Sequence, residues 1–178
     1  MHCGVKFYRG SAGAARSYVE ADRSRVDDYY LAEGTGVAER YVASVDIGGG
    51  APTCTGASAG AMDGDAYERW VGGYDLASGE PKGRLRKDAN ALRFVEVVVN
   101  GPKTWSLVAT LDPEIAAAYD AAQDRAATEI IGWLAEHATT RVGPRGRQVQ
   151  VPVEQLEAAW CGTTPPGPGT RTVICTCR

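Results

Sequence analysis

The spacing of apolar residues changes along the chain, and each change of period predicts an element. Residues 92–99 (LRFVEVVV) are dense in valine, which favours a buried strand. Shorter β-branched or aromatic runs predict two more strands, and a turn-rich Gly-Pro-Arg-Gly-Arg segment between two apolar runs predicts a β-hairpin. The strands are therefore predicted at residues 5–8, 40–45 and 92–99, with a hairpin formed by residues 139–142 and 148–153.

Helices are predicted where apolar residues recur at steps of three and four. Ser11 can cap a helix over residues 11–21, and Gly34 and Gly36 stop a short one over residues 26–33. Further helices are predicted at residues 63–71, 102–111 and 112–137. The apolar face of the longest consists of Ile115, Ala118, Tyr119, Ala122, Ala126, Ile130, Trp133 and Leu134.

Two segments show neither the apolar spacing of a strand nor that of a helix. Residues 48–60 are rich in Gly, Ala and Thr and read as a flexible insertion, and residues 76–90 read as a polar turn region. Strands and helices together predict an α/β (α+β) fold with a mainly antiparallel sheet covered by helices.

Composition narrows the class of protein. A chain of 178 residues suits one domain, and a net charge of −3 excludes a strongly basic coat for nucleic acid, although not a local basic groove. No apolar run has the length of a membrane span, and the first residues lack the apolar core of a secretion signal, so we expect a cytoplasmic protein without a membrane partner. Five cysteines, an odd number, argue against a disulfide framework.

Tyrosines and one carboxylate are the first candidates for chemistry. Tyr29 and Tyr30 are adjacent, so a helix would point their rings about 100° apart and present one of them to solvent. A tyrosine hydroxyl can be a covalent nucleophile towards a phosphodiester. Glu96 interrupts an apolar strand. The alternatives are that the tyrosines pack the core and that Glu96 lies on a solvated face.

Basic groups at two places are candidates for DNA contacts. Lys103 and Thr104 follow Pro102 at a strand-to-helix junction, where free backbone N–H groups favour an anion. Arg141, Arg145 and Arg147 lie on the predicted hairpin, where they bind DNA or are simply solubilising charge.

These residues occur in an order that resembles a known family. Ser17-Tyr18, then Asp27-Asp28-Tyr29-Tyr30, then Glu96 six positions before Pro102-Lys103-Thr104, is similar to conjugative relaxases of the TrwC/TraI (MobF) type, which are HUH endonucleases. The likeness covers about residues 5–159. Family members have two tyrosine clusters, an acidic strand residue and a Pro-Lys-Ser turn; here Glu replaces the usual Asp and Thr104 replaces the Ser.

The resemblance implies an HUH relaxase-like fold and a mechanism. In the family a tyrosine attacks a phosphodiester of single-stranded DNA at a transfer origin and becomes linked through a 5′-phosphotyrosine. A divalent metal, Mg²⁺ or Mn²⁺, held by three histidines polarises the phosphate, and the acidic strand residue orients one histidine. By position, the resemblance makes Tyr18 and Tyr29 the candidate nucleophiles, with Tyr30 beside them in the catalytic set, and Glu96 the orienting acid.

The chain departs from the family at its end. Its only histidines are His2 and His137, whereas the family carries one before Thr-Ser-Arg and a later His-x-His. From Trp160 onward the sequence is rich in Pro and Gly without hydrophobic period. If one nucleotide was lost after the Ala159 codon, a GC-rich gene permits the original frame to read V-R-H-Y-T-S-R-A-G-D-P-H-R-H-L-H-L-Q, which contains both histidine motifs in order.

The sequence therefore predicts a partial relaxase domain over residues 1–159 and an out-of-frame, disordered tail over residues 160–178. We expect the sheet to be incomplete at this end, the chain to hold no metal and to be inactive, and the family's downstream helicase-like region to be absent. Two alternatives remain: a non-catalytic fragment that binds single-stranded DNA, and an unrelated small α/β domain.

Overall fold

Eight strands account for most of the backbone pairing. The computed structural model describes residues 4–24, 36–46, 53–88, 90–99, 101–144, 146–162 and 171–177. The strands are β1 Gly4–Arg9, β2 Ala38–Asp46, β3 Thr53–Met62, β4 Leu92–Val99, β5 Thr139–Val142, β6 Val149–Pro152, β7 Gln155–Gly162 and β8 Arg171–Cys177. Six of them form one antiparallel sheet in the order β1-β4-β8-β7-β2-β3, while β5 and β6 form a separate two-stranded ribbon. The predicted fold class and hairpin are thus confirmed.

The described residues form four helices, three of which cover the two faces of the large sheet. They are α1 Ala12–Ser24, α2 Gly64–Gly72, α3 Lys103–Ala109 and α4 Pro113–His137. One core cluster packs α1 and α2 on the face that carries Phe94 and Ala159, and a second packs α4 on the face that carries Val97 and Ala158. Among the described residues, no helix combines the length and apolar character needed to cross a membrane.

The longest helix has the predicted bounds, and Ala126, Ile130 and Leu134 of its predicted face pack against the core, but the fully buried row lies beside them. Asp112 caps it by accepting hydrogen bonds from the backbone N–H groups of Glu114 and Ile115, at 2.8 and 3.3 Å. Its fully buried residues lie at steps of four: Gln123, Ala127, Ile131 and Ala135. Trp133, predicted to face the core, is 59% exposed. The two alanines on this row let the helix pack closely on the sheet, which a tryptophan there would prevent.

Residues 53–60, predicted to belong to a flexible insertion, form most of an edge strand instead. β3 pairs with β2, and Gly56 lies opposite Ala43. The prediction missed this strand because its side chains are small and show no strand pattern. The hydrogen bonds between β2 and β3 are made by backbone groups, which every residue except proline supplies in full. Residues 48–52 lie outside the described part of the chain.

We expect Gly56→Val to destabilise the protein, although valine favours strands. A Cβ at position 56 would overlap Cε1 of Tyr41, whose ring packs against the core under α4. Overpacking of this kind costs about 1–3 kcal/mol, more than the gain in strand propensity. Urea unfolding measures the difference against Ala57→Val, a substitution next to it on the same strand. Equal stability of the two variants would contradict the close approach of Tyr41.

The end of the chain also differs from the prediction. Residues 160–162 complete β7, and residues 171–177 form β8 between β4 and β7, with Ile174 opposite both Glu96 and Ala159. The described residues of the predicted disordered tail are thus paired in the sheet. Thr172, Val173 and Ile174 are β-branched, and the inner edges of β4 and β7 offer backbone groups that only a strand between them can pair. Residues 163–170 and 178 lie outside the described part.

Candidate active site

Tyr18 and Glu96 meet on the face of the sheet that α1 covers. The Tyr18 hydroxyl donates a hydrogen bond to Oε2 of Glu96 at 3.3 Å, although the residues are 78 positions apart. Lys6, opposite Glu96 in the β1–β4 register, places its Nζ 3.7 Å from Oε1. Glu96 is only 5% exposed. The alternative of a solvated surface carboxylate is therefore wrong.

An aromatic stack supports the Tyr18 ring. Tyr8 lies flat on Phe94 with ring centroids 4.7 Å apart, and its centroid is 5.8 Å from that of Tyr18. Tyr18 itself is 39% exposed. The tyrosine hydroxyl is thus held by a buried carboxylate while part of the ring stays open to solvent.

An ion-pair cluster fixes α1, and with it Tyr18, against α2. The Arg16 guanidinium contacts Glu20 at 2.7 Å on its own helix, and Asp65 and Glu68 (3.5 Å) on α2. Gly64 permits this approach, because a Cβ there would lie 2.5 Å from the Glu20 carboxylate. The pairs are exposed, so they orient the helix more than they stabilise it.

Tyr67, on α2, is fully buried beside this site. Its hydroxyl finds no hydrogen-bond partner among the described residues. Burial raises the pKa of Tyr67, and the neighbouring Cys161 and Glu96 raise it further. The phenol therefore stays protonated and can donate a hydrogen bond.

A second buried carboxylate, Glu157, lies on β7. Its Oε2 accepts hydrogen bonds from Trp70 Nε1 at 2.6 Å and Arg40 Nε at 3.2 Å, while its Oε1 accepts one from Lys82. Burial alone would raise the pKa of Glu157, but the hydrogen bonds from Lys82, Arg40 and Trp70 outweigh it and lower the pKa. Glu157 thus stays ionised and ties α2, β2 and the turn after α2 to the sheet.

The predicted DNA-contact residues lie in two places. Thr104 is exposed at the start of α3, and Arg141 and Arg147 are exposed on the β5–β6 ribbon and its turn. Beside the ribbon is an open cavity of about 580 Å³, lined in part by Thr140, Val142 and Lys82. The side chain of Lys103, and all of Tyr29, Tyr30 and Arg145, lie outside the described part of the structure.

The residues present do not fit a three-histidine metal site. Within the described ranges, no group of three His, Cys, Asp or Glu side chains is placed to hold a metal ion. His137 ends α4, where its ring stacks on Trp133 at 4.4 Å, while Glu96 lies on the opposite face of the sheet. The position opposite Glu96 on β8 is Ile174, which has no ligating atom. His2 lies outside the described residues.

Comparison with known families identifies the family of the chain. A family model described as TrwC relaxase matches residues 12–161, a segment that contains both Tyr18 and Glu96. The chain belongs to the TrwC relaxase family. The match ends one residue before the last residue of β7 and does not include β8. Among curated proteins, none matches the chain.

Solved TrwC structures share the fold. A copper-bound structure of the conjugative relaxase TrwC in complex with oriT DNA has a TM-score of 0.60 and 21% identity, covering 98% of this chain and 57% of that one. A metal-bound TrwC complex with oriT DNA has a TM-score of 0.60 and 19% identity, covering 97% and 56%. A TrwC complex with a 27-mer DNA that comprises the recognition hairpin and cleavage site has a TM-score of 0.59 and 16% identity, covering 98% and 54%. The chain thus spans little more than half of these relatives.

Sequence reasoning selected two of the side chains that form this site and its surroundings and missed three. Tyr18 and Glu96 were predicted from motif order and are brought together. Lys6, Tyr67 and Glu157 were not predicted to take part. Two features of the sequence could have indicated them. Lys6 and Glu96 have opposite charges and lie on strands that are paired, and Glu157 is a carboxylate inside the apolar Leu156–Trp160 segment.

Proposed function

We propose that this chain is the N-terminal part of a relaxase domain that binds single-stranded DNA at a transfer origin. The observation that carries the proposal is the hydrogen bond from Tyr18 to the buried Glu96, between two elements that the family match includes. The TrwC structures in complex with oriT DNA support the choice of DNA as the partner.

The chemistry proposed for an intact site is a transesterification. The Tyr18 oxygen attacks the phosphorus of one phosphodiester, and the bond from phosphorus to the 3′ oxygen breaks as the new bond forms. The products are a 5′-phosphotyrosine and a free 3′-hydroxyl. Glu96 already accepts the hydrogen bond of the phenol, so it is placed to hold the nucleophile and to receive its proton. Tyr29 and Tyr30 remain the proposed nucleophiles for a second transfer.

We infer further that the chain leaves its ancestral frame after Ala159. Adding one nucleotide there makes each later codon from the third base of one observed codon and the first two of the next. Thr172, Ile174 and Thr176 are then replaced by histidine, provided that the preceding codons end in C. These positions alternate along β8, and position 174 is opposite Glu96. Residues opposite each other on antiparallel strands share a face, so the restored histidines share the face of Glu96.

The β5–β6 ribbon is the proposed DNA-binding element. Arg141→Ala combined with Arg147→Ala should weaken binding of single-stranded DNA and reduce the slope of log K against log salt concentration by about 1.4, or 0.7 for each phosphate that is no longer neutralised. Fluorescence anisotropy at several salt concentrations measures the slope. Arg125→Ala, an exposed arginine on α4, is the matched control and should leave the slope unchanged. An unchanged slope in the double variant would show that the arginines only solubilise the ribbon.

The chain with its present sequence should bind DNA without cutting it. Position 174 holds Ile, and no metal-ligating cluster exists among the described residues, so the charge that develops on the phosphate lacks a counter-charge worth several kcal/mol. The assay incubates the protein with labelled oligonucleotides and Mn²⁺ or Mg²⁺ and resolves a covalent adduct on a denaturing gel. An adduct that depends on Tyr18 would contradict the proposed inactivity.

A further inference from the structure

Positive charge is concentrated where the loop before β4 meets the end of β1. Residues 84–93 (RLRKDANALR) contain four cations and one acidic residue, Asp88, in a chain whose net charge is −3. Arg9 lies opposite Leu92 in the β1–β4 register and adds a fifth cation. These five side chains are called the basic rim here: Arg9, Arg84, Arg86, Lys87 and Arg93. Within the described ranges, none of them forms an ion pair. A surface of one sign without internal neutralisation attracts an oppositely charged partner.

Backbone carbonyl groups, not acids, hold three arginines of the basic rim. Each arginine donates one N–H group, namely Arg9 to Asn90 at 3.3 Å, Arg93 to Gly10 at 2.6 Å, and Arg86 to Leu92. A carbonyl group is neutral and a guanidinium has five N–H donors, so each arginine keeps its charge and most of its donors. Arg84, Arg86 and Lys87 are exposed along an open cavity of about 810 Å³, which Asp88 also lines. The rim is thus an ordered cationic surface that is open to an anionic chain.

The basic rim lies between the two parts of the molecule that the proposed function assigns to DNA. Lys82, two residues before Arg84, lines the cavity beside the β5–β6 ribbon. At the other end of the rim, Arg9 follows Tyr8 on β1, and the ring of Tyr8 lies against that of Tyr18. A DNA strand that contacts both the ribbon and Tyr18 therefore passes beside the rim.

We propose that the basic rim binds phosphates of a single DNA strand between the ribbon and Tyr18. The choice of partner rests on the proposed function, whereas the charge, exposure and position of the rim are properties of the fold. Each phosphodiester carries one negative charge and presents acceptor oxygens that match the fork of a guanidinium group. Contacts of this kind fix the path and register of the strand without reading its sequence.

Arg84 and Lys87 are the residues to change, because both are exposed and neither makes a hydrogen bond within the described structure. In Arg84→Ala combined with Lys87→Ala, the slope of log K against log salt concentration should fall by about 1.4. The loss of affinity between 50 and 200 mM salt should then be about sevenfold smaller than in the unaltered chain. Fluorescence anisotropy of a labelled single-stranded oligonucleotide measures both quantities. The midpoint of urea unfolding should not change.

Arg125→Glu is the matched control. It alters the net charge of the chain by the same two units, but on α4, which packs on the face of the sheet opposite to α1. The slope should stay nearly unchanged in this variant. Adding Arg141→Ala and Arg147→Ala of the ribbon to the rim variant should lower the slope by about 2.8 in total, because one strand contacts both surfaces.

The amine of Lys87 allows the contact to be located directly. An abasic site in the oligonucleotide presents an aldehyde that forms an imine with a nearby amine, and borohydride reduces this imine to a stable bond. Peptide mapping should find DNA attached to Lys87. Lys87→Arg should remove this adduct and keep the salt slope, because arginine retains the charge.

The possible outcomes distinguish the basic rim from the proposed function. If the unaltered chain binds single-stranded DNA and the rim variant has the same slope, or if Arg125→Glu lowers the slope equally, the rim alone is overturned. Displacement of the DNA by poly-glutamate at equal charge concentration would show that the rim takes acidic chains in general and would also overturn it. An unaltered chain that binds no single-stranded DNA would refute the proposed function together with the rim.

Discussion

In a protein repaired by one nucleotide after the Ala159 codon and extended by the downstream reading frame, Tyr18→Phe should reduce formation of the 5′-phosphotyrosine adduct on the order of 10³-fold or more. Phenylalanine keeps the ring that contacts Tyr8 but removes the oxygen that Glu96 holds. DNA binding should change little, because the ring remains. The measurement is single-turnover cleavage of a labelled oligonucleotide with Mn²⁺, next to a binding isotherm for the same DNA.

Matched tyrosine variants make this result specific. Tyr8→Phe alters a ring in the same stack and should leave cleavage within a few-fold, because Tyr8 packs flat on Phe94 and is not the residue bonded to Glu96. Tyr29→Phe should affect either the first cleavage or a later strand transfer. If Tyr18→Phe and Tyr29→Phe both form the adduct at the unaltered rate, the assignment of nucleophiles is wrong.

Glu157→Ala should be the most destabilising single change of a polar residue in the described structure. It leaves Lys82 and Arg40 without their common carboxylate and Trp70 Nε1 without an acceptor. Breaking a buried pair by removing one partner costs about 3–5 kcal/mol, a large share of the roughly 5–15 kcal/mol that stabilises a domain. The expected fall in melting temperature is about 10 °C. Glu154→Ala, an exposed neighbour, is the control and should shift it by no more than about 2 °C.

The same carboxylate predicts a pH dependence. The folded state lowers the pKa of Glu157, so its contribution to stability is fully present above the unfolded pKa of about 4.3 and is lost as the pH falls through the folded value. Glu157→Gln removes the titrating group, and the difference in stability between the two proteins should shrink as the pH is lowered through this range. Parallel stability curves from pH 7 to pH 3 would show that Glu157 is not the titrating group.

The sequence predicted correctly those helices and strands whose side chains have a clear hydrophobic pattern or a recognisable cap. A run of valines identified β4, and an Asp-Pro cap with a long apolar period identified α4. It failed for β3, β7 and β8. The small side chains of β3 and β7 show no strand pattern, although their backbone groups pair, and the β-branched run of β8 follows a segment rich in Pro and Gly. The predicted face of α4 was right in part, since Ala126, Ile130 and Leu134 pack against the core, but a broad apolar surface does not show which row is fully buried.

The candidate site was predictable only in part for a similar reason. Motif order pointed to Tyr18 and Glu96, whose types and spacing are informative without a fold. The partners of Glu157 come from three separate segments, and Tyr67 becomes noticeable only through the absence of a hydrogen bond among the described residues. Such facts depend on register and packing, which the linear pattern does not contain.

The position of β8 also determines the order in which the sheet can assemble. The pair β1–β4 and the group β7–β2–β3 are joined in the sheet only through β8, which follows all of them in the chain. During synthesis, the edges of β4 and β7 that face β8 therefore stay unpaired until residues 171–177 leave the ribosome. Pairing across about 80 residues makes this closure slow. Folding should accordingly proceed in two phases, with amide protection at the edges of β4 and β7 that face β8 established last.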